Sequence, residues 1–328
     1  MKFLAERLFK LENRVARQPI LLRSWYAPNP NAYYFTGVDD DTFAVFLTKN
    51  ETIAYGHGDY PFADQTRAPK DMREHFWDYV KKHNIKKIGL DESDGALFSR
   101  LVQKKIVPVP LQAAFRKIRT IKDSNEIAFI RRAQQITKKA FEKVRPHMAG
   151  KTENHVAGLL ELAARKQNAA LDAFPPIVAS GPHGAQPHAK PTSRIIRNTE
   201  CTVVDMGVKY NHYCGDFTST VFEGKNSEQK DAVLAVKEAY QAARKKAING
   251  VNGKTLNRAA QDVIKEYGFS KHSFAAIGLR LGHSVGLEVH DGFGVEDVTL
   301  KKGMAFTIEP GIYVPKKFGV RFEDIVTL

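Results

Sequence analysis

Two carboxylates inside apolar, strand-like segments constrain the fold of this chain more than any other feature of its sequence. Residues 201–208 have the pattern of a buried strand that carries Asp205, and residues 216–222 have the pattern of a second strand that opens with Asp216. With the turn centred between Tyr210 and Asn211, antiparallel pairing predicts that the two aspartates face each other, with Cα atoms about 5.5 Å apart. Facing carboxylates repel, and a divalent cation between them removes the repulsion. The sequence therefore predicts a β-hairpin that binds a metal ion.

The C-terminal third of the chain repeats this arrangement with glutamates. Two strand-like segments carry Glu309 and Glu323 among apolar neighbours. A glycine-rich segment before them, residues 282–290, contributes His283 and His290. Carboxylates with one or two imidazoles suit a two-metal hydrolytic centre better than a thiolate-rich structural zinc site.

The length of 328 residues suits two domains, because single cores stop growing near about 250–300 residues. Residues 44–47 and 52–55 predict a strand, a turn and a second strand, residues 72–83 predict a helix, and residues 87–90 predict a short strand. This pattern of strands and helices predicts a small α/β domain in the first part of the chain. A helix-rich region follows it, with the boundary within residues 112–122.

The second region contains a faint internal repeat of helices. Asp123 and Glu126 form the pattern of a capping box ahead of apolar residues at helical spacing. Two helices then end before a Gly-Lys-Thr triplet, at residues 150–152 and 253–255, and another helix follows each triplet. The repeat predicts two copies of one helical hairpin. Each triplet would contain the C-terminal end of one helix and the N-cap of the next. The triplets are not phosphate loops, because neither has the glycine that the motif requires five positions earlier.

Composition excludes several classes of protein. The net charge of +14 is spread over predicted helix faces, without a basic block interleaved with aromatic residues, so no nucleic-acid partner is expected. No apolar run of about 18 residues and no signal peptide is present, so no membrane partner is expected either. Cys201 and Cys214 are too sparse for a disulfide framework and indicate structural thiols in a reducing compartment, the cytoplasm.

Five residues together carry a resemblance to a known family. Taken singly, a buried aspartate or a loop histidine is more often structural than functional. In their order and local contexts, however, five residues resemble the metal ligands of the pita-bread metallopeptidases, a group that includes methionine aminopeptidase, aminopeptidase P and prolidase: Asp205, Asp216, His283, Glu309 and Glu323. The likeness implies an α/β (α+β) catalytic domain at residues 116–328, with two pseudo-two-fold halves around a curved antiparallel sheet.

Residues 1–115 resemble the smaller creatinase-like α/β domain that precedes the catalytic domain in prolidase, aminopeptidase P and creatinase. The patterns Asn29-Pro30-Asn31 and Tyr34-Phe35-Thr36-Gly37 carry this likeness. Methionine aminopeptidases lack such a domain, and creatinase lacks the metal ligands. The prolidase and aminopeptidase P branch remains.

The resemblance implies two divalent metal ions, Mn, Co, Zn or Fe. Asp216 and Glu323 would bridge both ions, Asp205 would hold one, and His283 with Glu309 would hold the other.

The resemblance also implies catalytic roles in cleaving peptides before proline. Glu309 would move a proton, and His188 and His290 would bind substrate and stabilise the oxyanion. Arg321 would orient Glu323 or its neighbours. The expected substrate is an Xaa-Pro dipeptide or, as the alternative, a longer proline-containing peptide.

Two residues near the expected metal ligands depart from the family pattern. Ser219 stands where many relatives have arginine, and Ser284 replaces a frequent glycine.

The family's N-terminal domain implies a homodimer, with residues 25–41 as the expected contact with the partner subunit. The alternatives are a non-catalytic binding module on the same fold, which would bind no metal, and a basic nucleic-acid-binding protein, which would show salt-dependent binding.

Overall fold

The computed structural model describes Arg7 and residues 18–24, 29–91 and 95–328. The chain forms two compact units, Met1–Ile118 and Arg119–Leu328. Among the residues in these described ranges, no helix combines the length and the apolar character that crossing a bilayer requires.

The first unit contains a six-stranded mixed sheet. Its strands are β1 Ile20–Arg23, β2 Ala44–Leu47, β3 Thr52–Tyr55, β4 Gln65–Arg67, β5 Lys87–Leu90 and β6 Val107–Pro110. Their order is β4-β3-β2-β1-β5-β6, with β1 antiparallel to β2 and parallel to β5. The predictions for residues 44–47, 52–55 and 87–90 are confirmed.

The helices of the first unit are α1 Pro30–Thr36, α2 Met72–Lys82, α3 Gly95–Gln103 and α4 Gln112–Arg119. The predicted helix over residues 72–83 is confirmed. It packs on the sheet through Phe76 and Tyr79, whose rings lie 5.0 and 5.6 Å from the ring of Phe46. Asn29 caps α1, and Gly37 ends it at a φ of 74°. Of the segment expected to contact a partner subunit, residues 25–28 lie outside the described residues.

The second unit contains two helical hairpins, α5 Ser124–Val144 with α6 Glu153–Arg165 and α7 Ser227–Lys246 with α8 Gly253–Glu266. We call residues 119–226 its first half and residues 227–328 its second half. The capping box of Asp123 and Glu126 at the start of α5 is confirmed. In α7, buried alanines recur at helical spacing and let α8 pack closely: Ala232, Ala235, Ala239 and Ala243.

The repeated hairpins are confirmed, but the alignment of the two triplets is wrong. Thr152 caps α6 as predicted. In the second copy Asn252 is the cap, so residues 253–255 already lie in the first turn of α8. The equivalent glycines are Gly150 and Gly250, which have positive φ values of 79° and 88°.

The strands of the second unit pair antiparallel throughout, as predicted, in several short sheets. They are β7 Leu171–Asp172, β8 Ile177–Ser180, β9 Thr202–Met206, β10 Val208–Tyr210, β11 Tyr213–Cys214, β12 Phe217–Val221, β13 Ala305–Ile308, β14 Gly311–Val314, β15 Phe318–Arg321 and β16 Asp324–Thr327. The short sheets have the orders β11-β10-β7, β12-β9-β8, β13-β16 and β14-β15.

The predicted register of the first-half hairpin is wrong by two residues. Asp205 is opposite Thr218 and not opposite Asp216. The turn is centred between Asn211 and His212, which have φ values of 45° and 69°, as a two-residue turn of type I′ requires. A shift of two residues preserves the face of the sheet, so both aspartates still point to the same side.

The two predicted C-terminal strands, residues 307–312 and 320–325, are each interrupted at their glutamate. Glu309 lies between β13 and β14, and Glu323 lies between β15 and β16. Pro310 cannot donate to a strand ladder, which explains the first interruption. At the second, the backbone forms a bridge with the first-half hairpin at Thr218.

Candidate metal centre and active site

Four carboxylates and one imidazole from both halves of the second unit form an acid–histidine cluster: Asp205, Asp216, His283, Glu309 and Glu323. The β9–β12 hairpin supplies the aspartates. Backbone hydrogen bonds place the glutamates, because the amide of Glu323 donates to the carbonyl of Thr218 at 3.0 Å and the amide of Glu309 donates to the carbonyl of Leu281 at 2.7 Å. The interruption at Glu323 therefore connects the two halves at the cluster, whereas the interruption at Glu309 is held within the second half.

His283 lies at the centre of the cluster. Its Nε2 is 3.5 Å from Asp216 Oδ2 and 3.3 Å from Glu309 Oε1. Ligand atoms of Asp216, His283 and Glu323 all lie within 4.8 Å of one another. The hydroxyl of Thr307 donates to Glu309 Oε1 at 3.1 Å and so helps to orient it.

Burial and mutual repulsion raise the pKa of three carboxyl groups in the cluster. Burial raises the pKa of Asp216 well above its usual range, and Asp205 and Glu309 add to the effect. Burial and the charges of Asp216 and Glu309 do the same for Glu323. The pKa of Glu309 is raised to about 7, chiefly by burial. Without a bound cation, simultaneous ionisation of these three carboxyl groups is therefore unfavourable.

Asp205 has a separate partner, Arg321. The Nη2 of Arg321 donates to Asp205 Oδ2 at 2.7 Å, and both side chains are almost fully buried. The same guanidinium donates from Nε to the hydroxyl of Thr218 at 3.2 Å, and that hydroxyl lies 2.6 Å from Glu323 Oε2. Arg321 thus reaches Glu323 through Thr218, while its direct ion pair is with Asp205.

The residues present fit a divalent cation. The second oxygen of Asp205, Oδ1, is buried and has no hydrogen-bond partner among the described residues. A buried carboxylate oxygen without a donor is costly, and a cation satisfies it as a donor would. The ligand set is rich in oxygen, which suits divalent metal ions.

The two remaining predicted histidines lie outside the metal-ligand group and are exposed. The ring of His290 lies 4.1 Å from the ring of His283. Partial burial lowers the pKa of His290 to about 4, and the charges of His283 and His188 contribute. His188 follows Pro187, whose carbonyl accepts a hydrogen bond from Arg321 at 3.0 Å, so His188 also lies beside the cluster. His188 belongs to the segment at residues 180–192, which we call the His188 segment.

Sequence reasoning missed the residues that support the cluster. Thr218 lies on β12 two residues after Asp216, and strand periodicity could have indicated it. Gln134 donates to the Asp216 carbonyl and accepts from its amide, at 2.7 and 2.8 Å, and only the folded chain reveals this contact between residues 82 positions apart. Tyr313 accepts a hydrogen bond from Arg321 at 2.9 Å.

The two departures from the family pattern differ in position. Ser219 alternates with Thr218 along β12 and so faces away from the side that Asp216 and Thr218 share. Ser284 is fully buried, and its hydroxyl accepts a hydrogen bond from the Phe293 amide at 3.1 Å.

The two cysteines, Cys201 and Cys214, are free thiols, as predicted. Both are buried, and burial raises the pKa of each thiol to about 12.

Comparisons with known proteins agree with this geometry. Residues 128–328 match the metallopeptidase family M24. The chain is 32% identical to the Xaa-Pro dipeptidase of Pyrococcus horikoshii, over 92% of this chain and 88% of that protein.

Solved structures are also similar over nearly the whole chain. The X-Pro aminopeptidase from Thermotoga maritima is 32% identical with a TM-score of 0.84, over 99% of this chain and 94% of that one. The prolidase from Pyrococcus horikoshii is 30% identical with a TM-score of 0.87, over 99% of this chain and 95% of that one. The resemblance inferred from the sequence is confirmed, and the chain belongs to metallopeptidase family M24, in its prolidase and aminopeptidase P branch.

Proposed function

We propose that this protein is a metal-dependent peptidase that hydrolyses the peptide bond before proline in Xaa-Pro dipeptides. The observation that carries the proposal is the convergence of Asp216, His283 and Glu323, whose ligand atoms lie within 4.8 Å of one another among buried carboxylates. Similarity to an Xaa-Pro dipeptidase and to a prolidase supports the substrate class.

The acid–histidine cluster binds two divalent ions in this proposal. Asp205, Asp216, His283, Glu309 and Glu323 would hold these ions. Ions bound here would supply a water molecule acidic enough to attack near neutral pH and would polarise the scissile carbonyl. Mn, Co, Zn and Fe all accept these ligands, and elemental analysis of the purified protein identifies which is bound.

Glu309 moves the proton. Its side chain is 22% exposed, whereas that of Asp216 is 4% exposed, so Glu309 is the cluster carboxylate that solvent and substrate reach more readily. Its carboxylate accepts a proton from the attacking water and returns it to the leaving proline nitrogen.

His188 and His290 act on the substrate. Both are exposed and lie at the edge of the cluster, so an imidazole N–H of each can donate to the substrate carbonyl as negative charge develops there. Proline gives such a site a distinctive target, because its nitrogen has no N–H and its ring fixes the backbone.

The proposal extends to domains, assembly and location. Residues 1–115 are the creatinase-like domain and residues 116–328 the catalytic domain, and the protein is a homodimer. Two free, buried cysteines support a cytoplasmic location.

A second candidate function is an Xaa-Pro aminopeptidase that acts on longer peptides. The similarity to the X-Pro aminopeptidase from Thermotoga maritima, at 32% identity over 99% of this chain, favours it. The metal chemistry would be the same, and only the length of the substrate would differ.

The test is a hydrolysis assay on metal-stripped protein to which Mn, Co, Zn or Fe is returned. Ala-Pro is expected to be cleaved faster than Ala-Pro-Ala, and Ala-Ala is the matched control without the imide bond. Light scattering in parallel should give a dimer. Faster cleavage of the tripeptide by a monomer would move the assignment to the aminopeptidase, and no cleavage with any metal would reject both.

A further inference from the structure

One carboxylate outside the acid–histidine cluster is buried just as completely. Glu153, the first residue of α6, has 0% exposure. The amide and hydroxyl of Ser180 donate to its Oε1 at 2.8 and 2.9 Å. The amide and hydroxyl of Thr192 donate to its Oε2 at 3.0 and 2.6 Å, and His183 Nδ1 lies 2.9 Å from the same oxygen. All these partners belong to the His188 segment, and two of them are its ends.

These contacts keep Glu153 ionised. Burial alone would raise its pKa, but the hydrogen bonds from Thr192 and Ser180 outweigh burial and lower the pKa below its usual value. Each oxygen accepts a hydrogen bond from a backbone N–H, which can only donate, so the site is matched to a carboxylate and not to an amide.

The middle of the His188 segment is held from a different side. Arg321 Nη1 donates to the carbonyl of Pro187, the residue before His188, at 3.0 Å. The backbones of Gly184 and Gly319 also touch, because a Cβ at Gly319 would lie 1.7 Å from the Gly184 oxygen. Glu153 thus fixes the ends of the segment and Arg321 fixes the position next to the histidine.

Comparison of the two halves indicates that the helical hairpin does not need this carboxylate. The start of α6 and the start of α8 make equivalent backbone hydrogen bonds. In the first half the amides of Gly150 and Glu153 donate to the carbonyls of Ile196 and Arg194. In the second half the amides of Gly250 and Gly253 donate to the carbonyls of Leu300 and Val298. Glu153 is therefore equivalent to Gly253. A Cβ at Gly253 would lie 1.7 Å from the carbonyl oxygen of Val295, so backbone packs directly where the first half has a carboxylate.

An acidic residue in the first turn also favours a helix through the helix dipole, which is the simplest explanation of Glu153. That effect does not require burial or donors from a distant segment. The number and placement of the donors fit a role in holding the His188 segment.

We propose that Glu153 is a positioning residue that sets the place of His188 by fixing both ends of its segment. This inference rests on the proposed function, in which His188 contacts substrate. Glu153→Gln puts an NH₂ group opposite donors and should lower kcat/KM by about 10- to 100-fold, less than the loss of a direct oxyanion donor.

The deciding experiment is a double-mutant cycle. If Glu153 acts through His188, Glu153→Gln should have little further effect in a His188→Ala background and its full effect in a His290→Ala background. Bound metal should remain as in the wild type. Additive losses in the His188→Ala background, or loss of metal in Glu153→Gln alone, would overturn the proposal.

A second measurement is independent of activity. Hydrogen–deuterium exchange of the metal-free protein should show faster exchange in residues 181–191 of Glu153→Gln and unchanged exchange in residues 284–297. Unchanged exchange in residues 181–191 would contradict the proposal even if the wild type cleaves Xaa-Pro dipeptides. If the wild type cleaves none, the proposed function fails while the exchange result still tests Glu153.

A milder variant guards against a folding defect. Thr192→Val removes one donor to Glu153 and keeps the side-chain shape. It should lower kcat/KM by about 3- to 10-fold, as expected for one hydrogen bond to a charged group, and should speed exchange in the same residues. Wild-type kinetics and exchange in Thr192→Val would count against the proposal.

Discussion

The two halves of the second unit supply carboxylates to one cluster by different means. The first half presents Asp205 from within β9 and Asp216 from the break between β11 and β12, where strand periodicity keeps both on one face of the hairpin. The second half presents Glu309 and Glu323 at strand interruptions, where each backbone amide pairs with another segment of the chain. The aspartates are placed by one hairpin of neighbouring segments, whereas the glutamates are placed by contacts with distant segments, Glu309 with Leu281 of its own half and Glu323 with Thr218 of the first half.

The carboxylates in and around the cluster also differ in how their charges are compensated. Asp205 is paired with Arg321 at 2.7 Å. Asp291, next to His290, is held by Arg119 and Lys122 at 2.9 and 3.0 Å. Glu309 has no such cation among the described residues, apart from any charge on His283, and its pKa is raised to about 7, chiefly by burial. Asp216, Glu309 and Glu323 are therefore the poorly compensated carboxylates, whereas Asp205 and the neighbouring Asp291 are paired with cations.

The largest expected effect is that of removing a second-half glutamate. Glu323→Ala should reduce bound metal and lower peptidase activity by more than about 10³-fold, because Glu323 is proposed to hold the metal ions together with Asp216 and His283. Elemental analysis and the Ala-Pro assay measure the two losses. Asp324→Asn is the matched control, since it removes the neighbouring charge, which pairs with Lys138, and should keep metal and activity. Full metal content with full activity in Glu323→Ala would reject the proposed role of Glu323.

The next effect separates histidines that bind metal from those that act on substrate. His188→Ala and His290→Ala should keep the metal content of the wild type and lower kcat by about 10²–10³-fold, the usual effect of losing one oxyanion donor. His283→Ala should lose metal. Equal metal loss in His290→Ala and His283→Ala would show that the two roles are assigned incorrectly.

The sequence predicted those parts of the molecule whose signals are local. The capping box at Asp123 and the strands at residues 44–47 and 52–55 depend on near neighbours and were predicted correctly. The hairpin register was missed because Asn211 and His212 adopt positive φ without a glycine to indicate it. Glu153 was missed because its partners lie 27 to 39 residues away.

The third effect is opposite in sign for Glu309 and Asp205, and it is measured on metal-free protein at pH 7.5. Glu309→Gln should stabilise the fold, because it removes a carboxylate that burial disfavours. Asp205→Asn should destabilise it, because Arg321 would be left buried without its counter-charge. Urea unfolding gives both values, and the same sign for both variants would contradict the difference in compensation.

The pH dependence of the metal-free wild type follows from the same carboxyl groups. Raised pKa values mean that the folded state binds more protons than the unfolded state, so stability is full at low pH and decreases as pH rises from about 4.5 to about 7 for Glu309. The urea midpoint should therefore be higher at pH 5 than at pH 7.5. Glu309→Gln should reduce the difference in urea midpoint between pH 5 and pH 7.5. An unchanged difference in this variant would show that groups other than Glu309 cause the pH dependence.

The smallest effect concerns the turn that sets the register of the first half. His212 has a φ of 69°, a conformation that costs an L-residue about 1 kcal/mol or more and costs glycine little. His212→Gly should therefore be more stable than His212→Ala by about 1 kcal/mol, since both variants lose the imidazole and only alanine keeps a Cβ. Urea unfolding at fixed pH measures the difference. Metal content should be equal in the two variants, because neither changes the face on which Asp205 and Asp216 lie. Equal stability of the glycine and alanine variants would mean that the turn does not impose a positive φ at this position, and the two-residue offset between the aspartates would then need another cause.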